Sequence, residues 1–168
     1  MYSYCMSQNQ KSAPSMVDRG MQENACGAPV RPRVLFIETS GVLHAQGGSS
    51  ERTRRYVWAP HLNRLLAAYP DVCLVLLLAP EEAAGQAFAA RLGKLADRVI
   101  DCLSAESTSA GVLRWLARHP EVRRYAVLTA DAVHAPEQLK LFRCDPLSGV
   151  VDESLSAQLA AWLATPMH

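Results

Sequence analysis

Lysine is scarce in this chain. Of its 17 basic side chains only Lys11, Lys94 and Lys140 are lysines, and the rest are arginine. Together with heavy Ala and Leu usage, that bias fits the composition of a GC-rich bacterial genome better than a function. An excess of one charge is also missing: 16 acids against 17 bases leave a formal charge of +1. Without a basic or acidic footprint, nucleic acid and membrane surfaces are poor partners. No CxxC pair occurs, and the five cysteines (Cys5, Cys26, Cys73, Cys102 and Cys144) are odd in number. A disulfide framework or zinc knuckle is therefore not expected; reduced thiols are, with Cys73 and Cys102 as core residues. Long apolar runs are absent too. The longest, Val72 to Ala79, is far too short to cross a bilayer, and the first thirty residues hold no apolar stretch of the kind a secretory leader needs. These absences predict a cytoplasmic location.

What is present is enough apolar sequence, 49% of 168 residues, for one substantial core. Residues 1–31, rich in Ser, Gln, Asn, Gly and Met, follow neither a strand nor a helix period and predict a loosely packed or disordered extension. Residues 32–168 then alternate strand and helix signals. Arg33–Glu38, Val72–Leu78, Arg98–Leu103 and Arg124–Thr129 predict strands, with Leu141–Cys144 as a short edge strand. Pro60–Ala68, Glu81–Leu92 and Ser109–Arg118 predict helices, and Asp152 or Ser154 caps a last one through Leu163. Asp145-Pro-Leu-Ser-Gly is a turn. Such alternation predicts an α/β fold: a doubly wound, Rossmann-like parallel sheet of about five strands flanked by helices. Ligands of such sheets bind beyond the carboxyl ends of the strands, which directs attention to Glu38–Ser40, Leu78–Glu82 and Thr129–Asp131.

The run Val34-Leu35-Phe36-Ile37-Glu38-Thr39-Ser40-Gly41-Val42-Leu43-His44 is a buried-strand pattern leading into a polar tripeptide and a glycine turn. It resembles the first motif of the haloacid dehalogenase (HAD) superfamily, Asp-x-Asp-Gly-Val/Thr-Leu at a strand end. Two more segments carry the resemblance: Arg-Tyr-Ala-Val-Leu-Thr-Ala-Asp at 124–131, placed where the family has its acidic fourth motif, and Phe-Arg-Cys-Asp-Pro-Leu-Ser-Gly-Val at 142–150, similar to small capless bacterial members. The resemblance covers roughly Arg33 to Leu163 and implies a HAD-like domain. The segment from Ala45 to Ala59, where this family inserts a cap, is too short to be one.

In active members the first aspartate attacks a phosphoryl group and the second transfers the proton. Mg²⁺ is held by the first carboxylate, the next backbone carbonyl and a fourth-motif acid. Carried over by position, Glu38 stands for the nucleophile, Ser40 for the acid/base, and Glu38, the Thr39 carbonyl and Asp131 for the Mg²⁺ ligands. A glutamate is one methylene too long, and a misplacement of about an ångström can cost roughly a hundredfold. A serine without a base cannot replace a carboxylic acid, a loss of roughly 10²–10⁴-fold. The second strand ends Leu77-Leu78-Ala79 where the family has a hydroxyl, and only Arg114 and Arg118 stand near the place of the cation of the third motif.

The plainer readings are a strand-end Glu38 bonded to nearby backbone N–H groups, Ser40 as a turn residue, Asp131 as a loop or capping acid, a solvated or hydrogen-bonded His44, and Asp145 as turn chemistry. Arg52, Arg54 and Arg55 form a solvated loop or a basic flap. The expectation is a catalytically impaired HAD-like binding or regulatory module, with a phosphorylated ligand or a protein as partner. The alternatives are a divergent Mg²⁺-dependent phosphatase using Glu38 and Asp131, and an interaction protein working through residues 1–31.

Overall fold

The continuous apolar runs become the centre of a sheet. The structure, a computed structural model, describes residues 33–46, 55–79, 82, 88–104, 108–131 and 139–166. All of these belong to one unit, Arg31–His168. The expected extension over residues 1–31 lies outside the described residues.

Five parallel strands make the sheet: β1 (Arg33–Glu38), β2 (Val72–Leu78), β3 (Val99–Ser104), β4 (Arg124–Thr129) and β5 (Leu141–Arg143). Among the described residues four α-helices flank it: α1 (Ala59–Leu66), α2 (Phe88–Leu92), α3 (Thr108–Arg118) and α4 (Glu153–Ala164). The spatial order is β3-β2-β1-β4-β5. This is the doubly wound α/β architecture expected, and its order reverses between β1 and β4. A ligand crevice opens at such a reversal because the connections leave the two strands toward opposite sides.

Strand alternation sorts the core into two layers. Leu35 and Ile37 of β1 cluster with Leu62 and Leu66 of α1 and with Leu155, Leu159 and Leu163 of α4. Phe36 points the other way and meets Trp115 of α3 edge-on, with ring centroids 5.3 Å apart. Each fully buried leucine in such a layer stabilises the fold by roughly 1.5–3 kcal/mol relative to exposure. β1 is buried along its whole length because it pairs on both edges and is covered on both faces.

β1, β2 and β4 start and stop at the expected residues. The third strand runs Val99–Ser104 instead of Arg98–Leu103, because Arg98 closes a 3₁₀ turn over Gly93–Arg98. Its guanidinium donates to the carbonyls of Leu66, Tyr69 and Val72 at 3.0, 2.8 and 3.2 Å, satisfying the open end of α1. β5 stops at Arg143, one residue short of the expected end, although the Cys144 N–H still donates to the Thr129 carbonyl of β4 at 2.9 Å. α1 spans Ala59–Leu66 where Pro60–Ala68 was expected. Of the helix expected over Glu81–Leu92, Glu82 and Phe88–Leu92 are helical and residues 81 and 83–87 lie outside the described ones. Asp152, not Ser154, caps α4, its carboxylate accepting from the Leu155 N–H at 2.8 Å. Cys73 and Cys102 are half-buried where core positions were expected: Cys73 lies near the amino end of β2, and Cys102 packs against the core from the edge strand β3. Cys144 is buried, and burial pushes its thiol up to about 12.

Candidate functional site

Two buried carboxylates mark the carboxyl ends of the central strands. Glu38 ends β1 and is 7% exposed. Its side chain crosses to β4, where Oε2 accepts from the Thr129 hydroxyl at 2.5 Å and from the Ala130 N–H at 3.2 Å. Burial pushes the Glu38 carboxyl above the ordinary carboxylate value, and nearby Asp131 adds to that; the Thr129 hydrogen bond opposes it. The strand order is what makes this contact, since β1 and β4 are neighbours although Glu38 and Thr129 lie 91 positions apart.

The turn after β1 presses closely against the turn after β4. Gly41 has a φ of +79°, and a Cβ placed on it would run into the Cβ of Ala130. Only glycine meets both demands at low cost. Ser40 is half-buried beside Gly41 and bridges backbone to backbone with His44, so the expected turn role fits its position. Asp131 is exposed; its N–H donates to the Thr129 hydroxyl oxygen at 3.1 Å, and its carboxylate accepts from the Gln46 amide at 3.4 Å.

The second carboxylate, Glu82, was not anticipated as a site residue. It is 4% exposed and gathers three segments. Oε2 accepts from the Thr39 hydroxyl and from the Ala79 N–H at 3.2 Å, and Oε1 accepts from the Tyr56 hydroxyl at 3.2 Å. His44 Nε2 lies 3.6 Å from Oε1, beyond hydrogen-bond length but within ion-pair range when the ring is protonated. The same imidazole meets the Tyr56 ring edge-on at 5.4 Å. Tyr56 holds a φ of +62°, a conformation that a bulky residue keeps only where its surroundings impose it. Burial, with the Glu82 charge second, drives the Tyr56 phenol far above its usual range, so it stays a donor. Position beyond the end of β2 was the one sequence signal for Glu82.

Of the residues given roles from the sequence, the fold brings Glu38 and Asp131 together; Thr129 and Glu82 lay in the strand-end segments singled out but were given no role there. Sequence reasoning assigned Thr39 by its carbonyl, yet that carbonyl accepts from the Leu43 N–H at 3.0 Å and closes the turn. Arg114 and Arg118 are exposed on α3, which runs back from the carboxyl end of β3, so Arg118 stands at the far end of the sheet. Arg52 and Arg54 of the basic loop lie outside the described residues, and Arg55 is half-buried in a turn. Asp145 serves its turn, accepting from the N–H groups of Leu147 and Ser148 at 2.8 and 3.2 Å.

Mg²⁺ requires hard oxygen ligands in a near-octahedral shell. Here Glu38 Oε2 faces two hydrogen-bond donors, the Thr39 carbonyl faces a third, and Asp131 alone is turned to solvent. Among the described residues no group of three or more His, Cys, Asp or Glu could hold a metal ion. As arranged, these residues do not fit a Mg²⁺ shell.

The site thus belongs to an all-parallel, doubly wound α/β protein, at the reversal of its strand order. The chain matches no protein-family model, no curated protein and no solved structure. Among the described residues no helix is long and apolar enough to cross a membrane.

Proposed function

We propose that this chain is a degenerate, capless HAD-like domain that acts as a binding or regulatory module and does not turn over phosphate esters. One observation carries the reading: the Glu38 carboxylate is buried and engaged by Thr129 and Ala130 on β4. A nucleophilic carboxylate must present an ionised lone pair in line with the phosphoryl group. Glu38 is instead buried, with Oε2 accepting from the Thr129 hydroxyl and the Ala130 N–H. Ser40 brings no carboxylic acid for the leaving group, and general acid catalysis is worth roughly 10²–10⁴-fold. Thr39, between them, has its hydroxyl committed to Glu82.

Purified protein assayed with p-nitrophenyl phosphate and Mg²⁺ is expected to release nitrophenol at the buffer rate, and Glu38→Ala to leave that rate unchanged. Mg²⁺-dependent hydrolysis that Glu38→Ala abolishes would sink the reading in favour of the divergent phosphatase. Calorimetry separates the two again: no Mg²⁺ binding is expected, whereas binding lost on Asp131→Ala would support the phosphatase.

A further inference from the structure

The extra methylene of Glu38 has a visible destination. It carries the carboxylate off β1 and into the turn leaving β4, where an O–H and an N–H converge on one oxygen at 2.5 and 3.2 Å. The Thr129 hydroxyl is held ready for this use. It is fully buried and accepts from the Asp131 N–H at 3.1 Å, which leaves its proton for Glu38. Hydrogen bonds from fixed N–H and O–H groups to an ionised oxygen are among the stronger ones. The donors belong to β4 and its turn, so they remain when the side chain that fills them is gone.

We propose that the turn leaving β4 is a carboxylate-binding nest, formed by the Thr129 hydroxyl and the Ala130 amide with the Asp131 amide holding that hydroxyl in place, whose resident ligand is the Glu38 side chain. The inference rests on the binding-module reading and names the ligand class the nest takes once Glu38 is removed: a small monocarboxylate. A dianion is disfavoured because the Asp131 carboxylate lies within electrostatic reach of the nest. A tethered carboxylate acts at an effective concentration in the millimolar range or above, so the native side chain excludes a dilute external acid.

Glu38→Ala empties the nest and strands its buried donors, lowering the melting temperature by roughly 3–10 °C. Sodium acetate is expected to restore at least half of that loss relative to sodium chloride at equal ionic strength. Wild type in the same two salts supplies the baseline, because acetate stabilises proteins generally. Acetate titration should also move the ¹H–¹⁵N resonance of Ala130 in the variant and not in wild type. Adding Thr129→Val should remove the acetate effect. Glu38→Thr, a β-branched residue suited to a strand end, is a second emptied variant should Glu38→Ala fail to fold. The absence of an acetate-specific gain and of an Ala130 shift in the folded variant overturns the proposal. That outcome leaves the binding-module reading standing if wild type hydrolyses no phosphate ester; Glu38-dependent hydrolysis by wild type fails the reading itself.

Discussion

The two ends of the sheet use opposite charges. At the amino ends of the strands the charged groups are arginines aimed at carbonyls. Arg33 makes a two-pronged pair with Asp71 at 2.6 and 2.7 Å and donates to the Leu163 carbonyl. Arg124, its neighbour in register on β4, donates to the carbonyls of Trp162 and Thr165 and lies over the Trp162 ring at 4.8 Å. Arg98 does the same for α1. At the carboxyl ends the charged groups are Glu38 and Glu82, aimed at N–H and O–H groups. A parallel α/β fold imposes this sorting. Its helices run opposite to its strands, so their unpaired carbonyls gather at one end of the sheet, and cations are favoured there. Arg33, Arg98 and Arg124 thus close helix ends at the opposite end of the sheet from Glu38 and Glu82.

The largest expected effect lies at the amino end. Arg33→Ala leaves Asp71 partly buried without its partner and opens the end of α4, costing about 3–5 kcal/mol in urea unfolding. Arg33→Lys should recover less than half, because an ammonium cannot make the two-pronged contact. Full recovery by lysine would reduce that end to simple charge. Next comes Glu82→Ala, which leaves the Thr39 and Tyr56 hydroxyls and the Ala79 amide without their acceptor, for about 2–4 kcal/mol. Tyr56→Phe should cost only about 1 kcal/mol, since Glu82 keeps its other donors. A larger loss for Tyr56→Phe than for Glu82→Ala would mean that the phenol, not the carboxylate, organises the crevice.

The smallest effect is a pH dependence. Glu38 binds its proton more tightly folded than unfolded, mainly through burial. Its proton-linked stability is therefore fully present below the ordinary carboxylate value and is lost as pH rises through the higher folded value. Wild type should gain melting temperature relative to Glu38→Gln as pH falls from neutral toward the ordinary carboxylate range, then level off. A gap that narrows on acidification would show that the Thr129 and Ala130 hydrogen bonds outweigh burial.

β1, β2 and β4 were legible to the residue because each is an apolar run ending where polar or turn residues begin. Arg98 was not, because its chemistry is spent on carbonyls of a different segment. In the site, Glu38 and Asp131 were legible from the strand-end rule. The same rule reached Glu82 but not its role, because its partners Thr39 and Tyr56 lie 43 and 26 positions away. Likewise, nothing local to Tyr56 announces its positive φ, which appears together with the packing of its ring and hydroxyl.

By itself the sequence determined the α/β class, the three central strands and the Gly41 turn, since apolar runs and residue types are local properties. The tertiary structure decided where the remaining carboxylates went. Setting β1 beside β4 brought Glu38 to Thr129 across 91 positions, and a hydrogen bond reaching that far along the chain is encoded in strand order, not in any stretch of sequence.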